Sequence, residues 1–239
     1  MGSIVIKNWD KKNWLSSKNY ILKFNNFLIK ENKLNSNSQI LDIGCGRGKI
    51  LGSLSSKLKI NHKPIGIDLV NHTDKDKRIL FRKINALSFF SVNKNKYDLI
   101  LIKQTIHLLK LKEIKILLSK MSNSLTPNGK ILIFTLDPHK NEIPTFELMK
   151  TKLLKSLDRD KKILNFISKL YPKRIIKKFS YKVKITKKKY VEMILEKFIS
   201  TLLNLNNDQI VAGVKEINQK YKKNLKFEDK LICIIIKNN

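Results

Sequence analysis

The stretch ILDIGCGRGKIL, residues Ile40–Leu51, decides the fold. An apolar strand, Gln39–Ile43, runs into Gly44, Gly46 and Gly48, and a helical pattern to about Leu58 begins at Arg47. Glycines at alternate positions allow a tight turn, and they let a ligand lie against bare backbone where a Cβ would clash. The spacing is GxGxG, one residue short of the GxGxxG dinucleotide fingerprint. Twenty residues past Gly48, a second apolar run, Pro64–Asp68 (PIGID), ends in Asp68, placed to accept hydrogen bonds from a ribose diol. Strand, glycine turn, helix and a following acid together predict a nucleoside ligand.

Outward from this segment the same alternation continues. Strands are expected at Tyr97–Ile102 and Lys130–Leu136, with a weaker one at Ile79–Ile84, and a helix at about Lys112–Leu125. That helix ends in Thr126-Pro127-Asn128-Gly129, a turn that feeds the next strand. Strands alternating with helical patterns predict an α/β fold with a mostly parallel sheet and helices on both faces. Before the glycine turn, Asn19–Lys30 reads as an amphipathic helix with Leu22, Phe24, Phe27 and Leu28 on its apolar face. After Pro144 come a helix to about Leu157, more helix to Leu170, and a strand within Ile175–Ile185. Helices at Tyr190–Leu205 and Asp208–Tyr221 then form an insertion before a last strand, Leu225–Ile236. No Pro/Gly/Ser-rich linker interrupts the chain, so residues 1–239 are expected to form a single domain. Its parts are an N-terminal helical lid (1–37), a cofactor half (38–137) and substrate-side elements (138–239).

Composition removes several classes. The 239 residues carry 50 Lys and Arg against 19 acids, a net charge of +31. Lys, Ile and Asn supply 102 positions and Arg only five, the habit of an AT-rich genome more than a nucleic-acid footprint, which favours Arg. The charge is spread evenly along the chain. One run stands out, Lys173–Lys189, with nine cations and no acid. Two cysteines, Cys45 and Cys233, are too few for a disulfide framework or a CxxC zinc site, so no metal is expected. The longest apolar run, Leu231–Ile236, is far short of the roughly 18 residues a membrane helix needs. The N-terminal residues lack a secretory apolar core, so a cytoplasmic protein is expected.

On these residues the chain resembles the class I S-adenosylmethionine-dependent methyltransferases. LDIGCGRG is similar to their first motif and IGIDL to their second. Asn85-Ala86, YDLILIKQTIHLL (97–109) and LTPNGKILIFT (125–135) continue the likeness over about residues 38–137. The remainder resembles, more loosely, the small-molecule branch that includes trans-aconitate methyltransferase-like enzymes. Two departures are the short, charged linker NHTDKDKR (71–78) and Asn85, where many relatives have Asp. The resemblance implies a Rossmann-like, seven-stranded sheet and S-adenosylmethionine as cofactor. It also implies that Gly44, Cys45, Gly46 and Gly48 line the methionine and ribose, that Asp42 orients the ammonium, and that Asp68 takes the ribose hydroxyls. Asn85 and the Ala86 backbone would face adenine, and Lys103 and Gln104 would offer backbone carbonyls near the ammonium. Asn85 as a simple helix cap, and Asp42 in a structural turn, are the alternatives.

A sulfonium methyl is already activated, so the protein must chiefly hold a nucleophile in line with it and exclude water. His107, just past the fourth strand, is the candidate general base, with a packing role as its alternative. Trp9, Trp14, Tyr20, Phe179, Tyr181 and Lys197 are candidate substrate contacts, the alternative being core aromatics and a solvated charge. Lys103-Gln104-Thr105-Ile106 stands where amino-methylating nucleic-acid enzymes carry Asn/Asp-Pro-Pro-aromatic, and no cysteine is placed for pyrimidine C5 chemistry. The expected activity is methyl transfer to an O, S or N atom of a small, anionic metabolite. An RNA methyltransferase and a non-catalytic cofactor-binding partner subunit are the alternatives.

Overall fold

The computed structural model describes residues 13–238, so Trp9 lies outside the described residues. Seven strands form one sheet in the order β3-β2-β1-β4-β5-β7-β6. They are β1 Ile40–Ile43, β2 Ile65–Asp68, β3 Leu80–Lys83, β4 Tyr97–Lys103, β5 Leu125–Leu136, β6 Ile175–Thr186 and β7 Asn224–Lys237. β1 to β5 pair in parallel, and β7 runs antiparallel between β5 and β6. Strand order reverses between β1 and β4, the switch point where doubly wound sheets hold ligands beyond the carboxyl ends of the strands.

Alternation divides the central strands between two cores. Ile40, Leu99, Leu101, Leu132, Phe134, Phe179, Phe227 and Leu231 face the side covered by α1 (Lys18–Asn32) and α2 (Lys49–Leu58). Leu41, Ile43, Ile100, Ile102, Ile131, Ile133 and Ile234 face the side of α3 (Ala86–Val92), α4 (Leu111–Asn123) and the C-terminal half of α5 (Glu147–Leu170). With both faces covered, the central strands read as continuous apolar runs.

In α1 the Ser17 hydroxyl caps the Tyr20 amide, and the helix ends at Lys33 in the left-handed region. Its buried stripe is Tyr20, Phe24 and Leu28, spaced four apart, with Phe27 packed beside it. Leu22, expected on the apolar face, is 47% exposed because its position turns away from that stripe. Phe24 and Phe27 both reach the Phe134 and Phe179 rings, locking α1 across β5 and β6. The helix is thus part of the core.

Other expectations need adjustment. The helix that Asn85 caps is α3, seven residues long and too short for its bounds to be read from periodicity. Thr126–Gly129 is a turn looped out within β5: Tyr97 pairs with Leu125 and Leu99 already with Lys130. The two helical stretches after Pro144 are one helix of 24 residues, α5. Between β6 and β7, α6 (Lys187–Leu195) stops earlier than expected, and a short turn of 3-10 helix precedes α7 (Asn207–Lys220). Among the described residues no helix is long and apolar enough to cross a membrane.

Candidate active site

The glycine turn stands at the carboxyl end of β1. The amides of Gly44 and Cys45 both donate to the Ile67 carbonyl on β2, which fixes the turn to the neighbouring strand. Gly44, Gly46 and Gly48 all have positive φ, and Gly48 caps α2. A Cβ on Gly44 would meet the Thr105 side chain at 2.2 Å, so this glycine lets the β4 loop approach. A Cβ on Gly46 would meet nothing within 4 Å among the described residues: that side of the turn is open.

Asp68 closes the other side. One carboxylate oxygen accepts the Gly46 amide at 2.8 Å and the other the Val70 amide at 2.9 Å, so the acid is aimed by backbone on both flanks. Asp42, on the α1 face of β1, is 4% exposed, and its carboxyl is pushed up to about 7. Burial is the main cause; the Asp68 charge adds to it and Lys103 opposes it. A buried carboxylate with that balance is suited to receive a cation. At the end of β4, Gln104 adopts φ 52° while its amide donates to the Phe134 carbonyl, a strained corner exposed at the same edge. Asn85 accepts the Leu87 amide as the cap of α3, and Ala86 opens that helix.

The charged linker after β2, a departure from the family pattern, ties down the glycine turn. Arg47 bonds Asp74 at 3.1 Å, and the Asp76 amide donates to the Arg47 carbonyl at 2.9 Å. Asp76 in turn accepts the Arg78 amide and two of its guanidinium nitrogens, which hold its carboxyl below the usual range despite the opposing effect of burial. Asp76→Ala is expected to cost about 2 kcal/mol in denaturant unfolding, the loss of a charge-assisted set of bonds.

Beyond the carboxyl end of β4, Trp14, Tyr20 and Tyr181 come together with Lys103, Phe179 and one residue not anticipated, Asp229. Tyr20 lies 5.0 Å from Tyr181 and 5.6 Å from Phe179, ring to ring. Trp14 Nε1 donates to Asp229 at 3.2 Å. Lys103 Nζ lies 5.3 Å from the Tyr20 ring centre and 5.6 Å from that of Phe24, within cation–π reach, and donates to Gln104 Oε1. Asp229 is 1% exposed. Its signal in the sequence is an acid in the inward register of β7, between Phe227 and Leu231.

Two candidates lie apart from this cluster. Lys197 bonds the Leu205 carbonyl in the loop after α6. His107 follows β4 toward α5, and burial followed by the Arg159 charge lowers its imidazole to about 4. It is neutral near pH 7 and a weak base. The Lys173–Lys189 cations lie on and beside β6, the edge strand of the sheet: Lys177, Lys178, Lys182 and Lys184 are exposed between buried Phe179, Val183 and Ile185. Lysine on an exposed edge discourages pairing with another chain.

The site fits S-adenosylmethionine: the glycine turn is open, Asp68 is held beside it by backbone amides, and Asp42 is a buried acid on β1. Sheet order, turn and paired acids define a doubly wound, nucleoside-binding enzyme. The chain belongs to the methyltransferase-domain family, whose model matches residues 34–198. It is a methyltransferase, and S-adenosylmethionine is the cofactor its site fits.

Among solved structures, a plantazolicin methyltransferase in complex with a monoazolic desmethyl analogue and S-adenosylhomocysteine is 19% identical. That match covers 97% of this chain and 88% of the other at a TM-score of 0.54. A methyltransferase of Geobacter sulfurreducens in complex with S-adenosyl-L-homocysteine is 15% identical, covering 92% and 91%, with a TM-score of 0.55. A protein of Anabaena variabilis, described as a methyltransferase of an antibiotic biosynthesis pathway, is 14% identical, covering 89% and 96%, with a TM-score of 0.60. At these identities the likeness is one of fold. No curated protein matches the chain.

Proposed function

We propose that the protein transfers the methyl group of S-adenosylmethionine to an O, S or N atom of a small anionic metabolite, acting as a single domain. The observation that carries this reading is the groove beside the reacting end. Between the start of α1 and β6 lies a space of about 430 Å³. Trp14 and Tyr181 line it, and Lys18, Lys184 and Lys189 give it three cations and no acid. The same two aromatic side chains abut Tyr20 and Asp229, so the groove leads toward the Lys103 end of β4. Aromatic walls with a cationic rim suit an acceptor bearing a carboxylate or phosphate. The looser resemblance to trans-aconitate methyltransferase-like enzymes supports the same class.

The bound cofactor supplies an already activated methyl group. This chain's residues bind and orient: Asp68 the ribose, Asp42 the ammonium, Asn85 and Ala86 the adenine edge, with Trp14, Tyr20 and Tyr181 excluding water. His107 serves to shape the loop after β4, because a base of pKa about 4 is poorly matched to a neutral-pH proton transfer. His107→Gln is therefore expected to keep kcat within about threefold of the parent, whereas loss of a true general base costs about 100-fold or more.

The reading is tested with methyl-labelled cofactor and a panel of small carboxylates, phosphorylated metabolites and total RNA. Label on a small acid is the expected result, and label confined to RNA would overturn it. Salt dependence provides a second readout, since polyanion binding falls steeply with salt. On β6, Lys178, Lys182 and Lys184 share the outward face opposite buried Phe179, Val183 and Ile185, a short cationic row whose contribution the RNA arm of the assay reads.

A further inference from the structure

Three ionisable side chains share the α1-covered face of the sheet at its carboxyl edge: Asp42 on β1, Lys103 on β4 and Asp229 on β7. Register makes this so. Asp42 pairs with Leu101, two residues before Lys103, and Asp229 is two before Leu231; both leucines lie in the α1-side core. Two buried carboxylates thus share this face with a lysine whose Nζ lies 5.3 Å from the Tyr20 ring centre and 5.6 Å from that of Phe24. Asp229 is fixed from the other side by the Trp14 indole.

Resting on the cofactor reading above, the geometry points to a positioning role for the Lys103 side chain. From the last residue of β4, it supplies the counter-charge that readies Asp42 for the cofactor's ammonium, and Asp229 keeps the lysine on that face. This adds a side-chain role to the backbone role its position implies. The local charges agree with this role in sign. Among the described residues Asp42 is faced by Asp68 from β2, which disfavours its ionised form, and by Lys103 from β4, which favours it. Asp229 is raised by its own burial, and Lys103, Trp14 and Tyr20 oppose the rise. Burial, then Asp229 and Tyr181, push the Tyr20 phenol well above its ordinary range, so α1 contributes a neutral hydroxyl. Lysine is the one cation of this set, and its charge acts on both acids.

The sign of the consequence is set by linkage. A bound ammonium stabilises ionised Asp42, so cofactor affinity is full above the free-state pKa of about 7 and falls as pH drops through it. Removing Lys103 raises that pKa further and moves the fall to higher pH.

The experiment is calorimetric titration of S-adenosylhomocysteine, which keeps the ammonium, into the full chain between about pH 6 and 8.5. The parent should lose about tenfold in affinity per pH unit well below the midpoint. Lys103→Met should shift the midpoint up by about one unit or more, with affinity recovering toward the parent's at the alkaline end, while Lys103→Arg keeps the parent profile. Recovery at high pH also shows that the methionine variant is folded. An unshifted midpoint, or an equal loss at every pH, would overturn the role of Lys103. Absence of binding by the parent even at the alkaline end would instead overturn the cofactor assignment.

Discussion

Gly46→Val is expected to abolish S-adenosylhomocysteine binding in calorimetry, by more than about 100-fold, while the protein still unfolds cooperatively. Gly46 sits at φ 55° with open space where its Cβ would project, so the branched side chain would occupy the room into which the site opens. The fold itself should lose only the cost of a left-handed non-glycine residue, about 1–2 kcal/mol. Gly44→Val is the informative contrast. There the new carbon would strike Thr105 at 2.2 Å, so both the loop after β4 and the binding site should fail together. If Gly46→Val bound the ligand as the parent does, the ligand would not lie against this turn.

Asp68→Ala is expected to weaken the same ligand by about 30–100-fold, the loss of charge-assisted bonds worth roughly 2–3 kcal/mol. The carboxylate holds the Gly46 and Val70 amides, and its proposed second task is to receive the ribose hydroxyls, so alanine removes both. Asp68→Asn keeps an acceptor for one amide and separates the two. It should restore much of the thermal stability while leaving affinity reduced by about tenfold. Equal affinity of Asp68→Asn and the parent would remove the ribose role.

These expectations come from residues that stand close together in the chain, and that explains how early they could be read. The glycine turn, the acid ending β2 and the helix after the turn are local features: a strand's apolar run, a positive-φ requirement and a helix start each leave their mark within a few residues. So the α/β class, the strand positions and the candidate cofactor residues were legible in the sequence. Local patterning left the bounds open where an element was short, as in α3, and failed where a turn was absorbed into a strand, as at Thr126–Gly129.

Several side chains beyond the carboxyl end of β4 were named from the sequence, but which of them meet was decided by tertiary structure. Trp14, Tyr20, Lys103, Tyr181 and Asp229 are up to 215 residues apart in the pair that bonds directly, and only the strand order places β7 beside β5 and β6 beside β7. His107 illustrates the converse: its place in the sequence suits a base, yet the turn after β4 sends it toward α5 and Arg159, where burial weakens it. The basic run is settled the same way. From the sequence it was a block of nine cations; in the fold it decorates an edge strand, with only Lys184 and Lys189 reaching the groove beside Trp14 and Tyr181. Sequence determined the strands, the turn and its acids, because backbone propensity and patterning are local. Which charges meet across the sheet was set by the order and register of the strands, because a buried charge acts only on what packs beside it.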